Sequence, residues 1–357
     1  MLGKTPDELS AVAVDCGLKP FVGRQLAEWL YVKKVTDWDR MSNISKDSKA
    51  RIQERYEIGT SAPIGSARSS DGTVKYLFSV GPMREPVSVS ERPAIPLEGV
   101  QGVGSSDRFI ESVMIPDVDR KTLCVSSQAG CRMGCRFCMT GRQGWHGNLD
   151  VADILNQFLS IPEAAELTNA VFMGMGEPLD NYEAVSKAMD ILTDEKCFGW
   201  SPKRITLSTI GVLPVLKRFL DEKRCHLAVS LHNPFPDERL EFMPVQKAWP
   251  LEDVVELIRQ YDFTGQRRVS FEYTMFSGWN DDKRHADALV RLLGGLECRV
   301  NLIRFHKIPD FPYDCPPEVR MEEFRNRLNK HGIVCTIRAS RGEDILAACG
   351  MLAGQRS

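Results

Sequence analysis

The stretch KTLCVSSQAGCRMGCRFC, Lys121–Cys138, runs from a strand candidate at Thr122–Ser126 into a loop carrying three cysteines. Downstream the same alternation continues. Short apolar and β-branched runs at Asn169–Met173, Arg204–Ser208, His226–Leu231, Val269–Met275 and Arg299–Phe305 read as strands. Between them, Val151–Ser160, Tyr182–Leu192, Val212–Leu220, Leu251–Gln260 and Arg284–Leu293 carry apolar residues at helical spacing. Six β/α units in succession predict an α/β fold with a parallel sheet, either a partial (β/α)6 barrel or a doubly wound sheet. In barrels, functional groups gather past the C-terminal strand ends. Those positions hold Cys131 to Cys138, Gly174-Met175-Gly176-Glu177, Ser208-Thr209, Ser230 to His232, and His306, which favours the barrel.

Working back towards the N-terminus, residues 1–60 read as a small helical domain. Asp7 to Cys16 and Arg24 to Val32 show helical spacing, and Ser45 is placed to cap a helix reaching Arg55. Residues 61–120 read as connecting strands, with Asp71-Gly72 as a turn before Val74–Val80. Within them, 81–107 is rich in Pro, Gly and Ser without a clear period, and is expected to be a mobile insertion. The third unit, 121–357, holds the barrel and a C-terminal segment.

Net charge is −2, so a uniformly basic nucleic-acid coat is excluded, while a local basic patch is not. No apolar run reaches the length of a membrane span and the first residues lack a signal-peptide pattern. A cytoplasmic protein is expected, with no membrane partner. The chain has eleven cysteines, and in a reducing compartment these argue for metal or catalytic roles over structural disulfides. Cys16, Cys197, Cys225, Cys298 and Cys335 lie in or beside apolar stretches and read as packed core thiols.

Cys131, Cys135 and Cys138 differ from those. Three thiolates at this spacing can bind three irons of a [4Fe–4S] cluster and leave the fourth iron free for a substrate, where most clusters take four cysteines. The competing assignment is zinc, with His146 as a fourth ligand, although structural zinc typically draws on two separated ligand pairs. Behind this loop, FMGMGEP (Phe172–Pro178) places a Gly-rich turn at the next strand end.

The CxxxCxxC loop followed by the Gly-rich turn resembles the radical S-adenosylmethionine (SAM) superfamily. Within it the chain resembles the RlmN/Cfr family of RNA adenine methyltransferases, and RlmN more closely. The resemblance is carried by GRQLAEWLY (Gly23–Tyr31), MSNISK (Met41–Lys46), TLCVSSQAGCRMGCRFCMTGRQG (Thr122–Gly144), GMGEPLDNY (Gly174–Tyr182), LSTIGV (Leu207–Val212), SLH (Ser230–His232) and RASRGEDILAACGMLAG (Arg338–Gly354).

The resemblance implies a radical SAM barrel with a helical RNA-binding N-terminal domain. It implies that Cys131, Cys135 and Cys138 hold the cluster, and that Gly176, Glu177, Ser208, Ser230, Leu231 and His232 contact SAM. Cys349 would carry the methyl group as S-methylcysteine, Cys124 would resolve the link through a transient disulfide with Cys349, and Glu111 would accept the ring proton. His306 stands where the family has a SAM-contacting Asn, and is expected to take that contact. Met139 follows the cluster where a small residue is usual, and the 81–107 insertion precedes Glu111. The implied reaction is C2 methylation of adenosine in 23S rRNA and in tRNA, with two SAM per methyl transferred. C8 methylation of the Cfr type is the nearest alternative, and a non-catalytic zinc-bound RNA-binding protein is the alternative from another class. An electron donor such as flavodoxin or ferredoxin and a monomeric state are expected. Arg341, close to Cys349 in sequence, is expected to favour its thiolate. Arg132, Arg136, Arg142, Lys203, Arg204, Arg267, Arg268, Arg304, Lys307 and Arg338 are candidates for phosphate contacts.

Overall fold

The computed structural model describes residues 1–81, 108–263 and 268–354. The expected 81–107 insertion lies outside the described residues, apart from Gly81.

The chain opens on helices α1 (Pro6–Asp15), α2 (Phe21–Ala27) and α3 (Lys46–Gln53). Thr5 caps α1 in a reciprocal capping box with Glu8, with Pro6 in the first turn where its missing N–H costs nothing. The helical stretch expected to reach Val32 does so by changing pitch: α2 passes into a π-helical turn over Glu28–Val32. Tyr31 lies against Phe198 of the barrel, with ring centroids 5.9 Å apart. These helices and the barrel therefore share one apolar core.

Next come strands β1 (Gly65–Arg68), β2 (Val74–Val80), β3 (Arg108–Pro116) and β4 (Lys121–Cys124), all joined antiparallel. A hairpin of β5 (Gln128–Gly130) and β6 (Trp145–Asn148) frames the cysteine loop, which contains the short helix α4 (Met139–Arg142). Then follow α5 (Val151–Leu159), β7 (Asn169–Phe172), α6 (Tyr182–Thr193), β8 (Ile205–Thr209), α7 (Leu213–Glu222) and β9 (His226–Ser230). After β9 come α8 (Pro236–Phe242), α9 (Leu251–Arg259), β10 (Val269–Met275), α10 (Lys283–Leu293), β11 (Arg299–Arg304), α11 (Glu318–Lys330) and β12 (Val334–Ile337).

The large sheet runs β1-β2-β3-β4-β7-β8-β9-β10-β11-β12 and is parallel from β4 onward. Neighbours in space are neighbours in sequence, as winding in one direction requires; a doubly wound sheet would reverse its order at a switch point. The barrel is thus partial and open. The six expected parallel strands are all present, and β12 adds a seventh at the far edge. Its burial alternates between exposed and buried positions and α11 before it is largely polar. Both features weaken the periodic signal by which inner strands are recognised. The inner strands are buried on both faces, as in β10, where six of seven residues are buried. Among the described residues no helix is long and apolar enough to cross a membrane.

Candidate active site

The C-terminal strand ends open on a cavity walled by Cys131, Cys135, Cys138, Gly176, Glu177, Ser208, Ser230, His232, Glu272 and Cys349. Its empty space, open mouth included, is about 940 Å³, at the upper end for a small-molecule site. Met133, Phe137, Met243 and Phe305 supply apolar wall, part of a second aromatic core beneath the cysteine loop. So residues from the cysteine loop, four strand ends and the C-terminal segment meet in one place, as their positions after the strands predict.

The cysteine loop is fixed by backbone bonds. The Cys131 N–H donates to Gly144 O at 2.8 Å and the Cys138 N–H to Cys135 O at 3.2 Å. A Cβ on Gly141 would come within 3.0 Å of the Cys135 backbone, so only glycine lets α4 pack this closely. Burial pushes all three thiols up, Cys135 to about 12, with mutual charge repulsion adding to it at Cys131 and Cys135. Such thiolates form only against a strong positive charge, which irons supply. Among the described residues no three His, Cys, Asp or Glu side chains converge closely enough for a single metal ion. A cluster spreads its thiolates over separate irons, whereas zinc draws four ligands to about 2.0–2.3 Å of one centre. The donor set therefore fits the cluster better than zinc.

The Gly-rich turn is held from beneath by Gln128, a fully buried residue that the sequence reading passed over. Gln128 Oε1 accepts from the Glu177 N–H at 2.9 Å, and its Nε2 donates to Asp180 Oδ2 at 2.7 Å and Asn148 Oδ1 at 2.8 Å. Gly176 lies so close that a Cβ would meet Gln128 at 2.5 Å, and its φ is +98°. The Glu177 carboxylate points into the protein. It accepts from Thr209 Oγ1 at 2.6 Å, the Ile210 N–H at 3.0 Å and the Leu179 N–H at 3.0 Å. Burial raises its pKa to about 7 against the pull of these bonds. Glu177 thus ties the β7 turn to the end of β8, and its backbone remains the part free to meet a ligand.

At the end of β9 the chain turns through His232, a non-glycine residue at φ 57°. The turn is held by Asn280 Nδ2, which donates to His232 O at 2.7 Å, and by the His232 N–H, which donates to Glu272 O at 3.2 Å. The Thr274 N–H donates to His232 Nδ1 at 2.9 Å. A backbone N–H can only donate, so Nδ1 is unprotonated and the ring proton sits on Nε2. Burial, with Arg239 adding repulsion, lowers its pKa to about 3, so the ring is neutral. Phe137 of the cysteine loop packs edge-on against this ring at 5.0 Å. Arg239 is almost wholly buried and clamps the same turn, donating to Leu231 O and Ser230 O, each at 3.0 Å.

Four expected site residues lie outside the cavity wall. Leu231 is buried and contributes only backbone, its N–H donating to Glu272 O at 3.0 Å. His306 turns away: Nε2 is 3.1 Å from Ser340 Oγ and Nδ1 is 3.3 Å from Glu343 Oε1. Its imidazole anchors the C-terminal segment rather than facing the cavity, which corrects the expected SAM contact. Glu111 is buried on β3, with Oε1 2.9 Å from Lys75 Nζ and Oε2 accepting from the N–H groups of Ala353 and Gly354. Cys124 ends β4 in the core, where burial pushes its thiol up to about 12 and repulsion from Cys349 adds to this. Both cysteines are free.

Cys349 is exposed towards the cavity mouth, yet protein on its other sides pushes its thiol up. The cation acting on it is Arg338; Arg341, expected in that role, faces Asp117 instead. Of the other candidate phosphate contacts, Arg132 is 2.9 Å from Asp180 and stacks on Trp145 at 4.3 Å. Arg142 binds Pro309 O, Arg304 is paired with Glu318 and Lys307 with Asp314. Arg267 lies outside the described residues.

Two family models match the chain: the radical SAM superfamily over residues 125–289, and the ribosomal RNA large subunit methyltransferase N-terminal domain over 1–58. A probable dual-specificity RNA methyltransferase RlmN of Porphyromonas gingivalis is 54% identical over 357 residues, covering 100% of this chain and 97% of that protein. The dual-specificity RNA methyltransferase RlmN of Syntrophus aciditrophicus is 37% identical over 353 residues, covering 98% and 94%. A crystal structure of a radical SAM methyltransferase from Sphaerobacter thermophilus superposes with a TM-score of 0.87 at 35% identity, covering 99% of this chain and 98% of that one. These matches set aside the non-catalytic alternative. The chain is an RNA methyltransferase of the radical SAM superfamily, and it belongs to the RlmN dual-specificity family.

Proposed function

We propose that the protein methylates C2 of adenosine in 23S rRNA and in tRNA, carrying the methyl group on Cys349. The observation that carries this reading is the position of Cys349: it shares one cavity wall with Cys131, Cys135 and Cys138 and lies close enough to Cys124 for their charges to repel. An adenine C–H carbon is not nucleophilic, so direct transfer of an electrophilic methyl group to it fails. A carrier thiol on the cavity wall answers that difficulty.

Cys131, Cys135 and Cys138 would hold a [4Fe–4S] cluster which, when bound and reduced by a donor such as flavodoxin or ferredoxin, supplies the electron that cleaves SAM. The protein's own groups account for the rest. The Cys349 thiolate first takes a methyl group from one SAM. Once a hydrogen atom has been removed from that S-methyl group, its carbon bonds to the ring carbon. One electron leaves, and Glu111 accepts the ring proton. The Cys124 thiolate then attacks the Cys349 sulfur. An S–S bond forms, the S–C bond breaks, and its electron pair stays on the methylene carbon, which takes a proton to become the methyl group. The backbone of Gly176, Glu177, Ser230 and Leu231 and the side chains of Ser208 and His232 would orient SAM, with His232 offering a fixed Nε2–H donor. Residues 1–60 would grip the RNA as an accessory domain, the connecting strands of 61–120 would carry Glu111 to the barrel, and the protein would act as a cytoplasmic monomer.

The test is a nucleoside map of 23S rRNA and tRNA from cells with and without the protein, by chromatography and mass spectrometry against standards. 2-Methyladenosine that depends on the protein is the expected result. 8-Methyladenosine in its place would assign the reaction to the Cfr type.

A further inference from the structure

Arg338 follows β12, yet its guanidinium is turned towards the carrier cysteines rather than towards open solvent. Its Nη1 lies 3.3 Å from Glu272 Oε2 and donates to Met173 Sδ at 3.7 Å. The Met173 backbone in turn bonds the Cys124 thiol. Glu272 is buried on β10 and held still: its Oε1 accepts from Ser270 Oγ at 2.9 Å and Asn301 Nδ2 at 2.8 Å, which leaves Oε2 for Arg338. The Arg338 backbone is fixed as well, its N–H donating to Leu302 O at 2.9 Å and its carbonyl accepting from Arg304 at 2.7 Å.

The charge so placed acts on both thiols. The charged groups facing Cys124 are Cys349 and Arg338; those facing Cys349 are Arg338, Glu272 and Cys138. Burial opposes the thiolate at each cysteine, and Arg338 is the cation that favours it at both.

We propose that Arg338, fixed by Glu272, is a positioning residue that holds Cys124 in its attacking thiolate form and biases the Cys124–Cys349 pair towards the reduced dithiol that each turnover must restore. The proposal rests on the carrier reading above. A cation beside a dithiol stabilises the reduced form more than the uncharged disulfide, so it raises the reduction potential.

The experiment uses the full-length, cluster-loaded protein, equilibrated anaerobically in mixtures of reduced and oxidised dithiothreitol. In this exchange one S–S bond breaks as another forms, and two electrons and two protons pass between the pairs. After acid quenching and alkylation, peptide mass spectrometry gives the fraction carrying the Cys124–Cys349 disulfide. Arg338→Gln is expected to shift the equilibrium about tenfold towards the disulfide, a potential lower by about 30 mV. Arg338→Lys, which keeps the charge, should stay close to wild type. Glu272→Gln should shift it the other way, because it removes a carboxylate that opposes the thiolate and leaves the guanidinium in place. Simple loosening of the structure would move the Arg338→Gln and Glu272→Gln variants in the same direction. That outcome, or an Arg338→Gln potential equal to wild type, overturns the proposal. Absence of any Cys124–Cys349 disulfide in the wild type at every ratio overturns the carrier reading, and the proposal with it.

Discussion

Glu111 and Ala353 are joined by a 2.7 Å hydrogen bond from the Ala353 backbone N–H to Glu111 Oε2, although 242 residues separate them. The Gly354 N–H reaches the same oxygen at 3.0 Å, and Lys75 Nζ lies 2.9 Å from the other. Two more bonds hold this segment to α4: the Met139 N–H donates to Gly350 O at 2.8 Å and Thr140 Oγ1 to Leu352 O at 2.7 Å. The segment that carries Cys349 is thus fastened at one end to the cysteine loop and at the other to the proposed base.

That fastening separates two functions of Glu111. Glu111→Gln keeps an oxygen for the Ala353 and Gly354 N–H groups but cannot accept the ring proton. Methylation of Cys349 and cleavage of SAM should persist, while the rate of RNA methylation falls by about 10²–10⁴-fold. Single-turnover assays that follow both SAM cleavage and methylated RNA distinguish this from collapse of the site, in which both would fall together.

Gly176 tests the seat of SAM. An added Cβ would meet Gln128 at 2.5 Å on a backbone whose φ of +98° disfavours side chains. Gly176→Ala should cost about 2–4 kcal/mol of stability from strain and overpacking. It should also weaken SAM binding by moving the Glu177 backbone. Thermal unfolding and calorimetric titration with SAM measure the two effects. Wild-type SAM affinity in this variant would show that the turn does not form the seat.

Asp71 supplies a pH dependence remote from the cysteines. Burial alone would raise its pKa, but bonds from the Thr73 side chain and backbone, the Gly342 N–H and Ser69 outweigh it and hold the carboxyl at about 2, below its ordinary 3.8. A depressed folded pKa stabilises the fold in full above about 3.8, and that stability is lost as the pH falls through about 2. Because Asp71 is exposed, the contribution is discounted for screening to roughly 1 kcal/mol. Asp71→Asn should therefore be less stable than wild type near neutrality, with the gap closing as the pH falls from about 4 to about 2. Denaturant unfolding across that range checks it, and a gap independent of pH would contradict it.

The sequence was legible where a single local signal sufficed. Inner strands such as Val269–Met275 announce themselves by continuous burial, and the loop of Cys131, Cys135 and Cys138 by spacing alone. Groups whose direction depends on a tertiary turn were harder to read. Arg341 is nearer to Cys349 in the chain than Arg338 is, yet left-handed turns at Gly342 and Leu346 redirect the segment between them, and Arg338 is the one that faces the thiols. His306 follows β11 as a cavity residue should, but Ser340 and Glu343, distant in sequence, draw its ring away. Gln128 and Asn280 act through buried amides beneath the turns they hold, and a lone amide in a sequence carries no sign of such a task.

The central claim is that Cys349 carries the methyl group covalently to RNA and that Cys124 releases it. Water is a poor nucleophile towards a thioether sulfur, whereas thiolate attack with disulfide formation is established cysteine chemistry. The direct measurement is therefore made on Cys124→Ala, incubated with SAM, a reductant and substrate RNA and run on a denaturing gel. The account predicts a slow-migrating protein–RNA adduct that ribonuclease removes and that is absent when Cys349→Ala is added. Normal turnover of the single variant with no trapped RNA would contradict it.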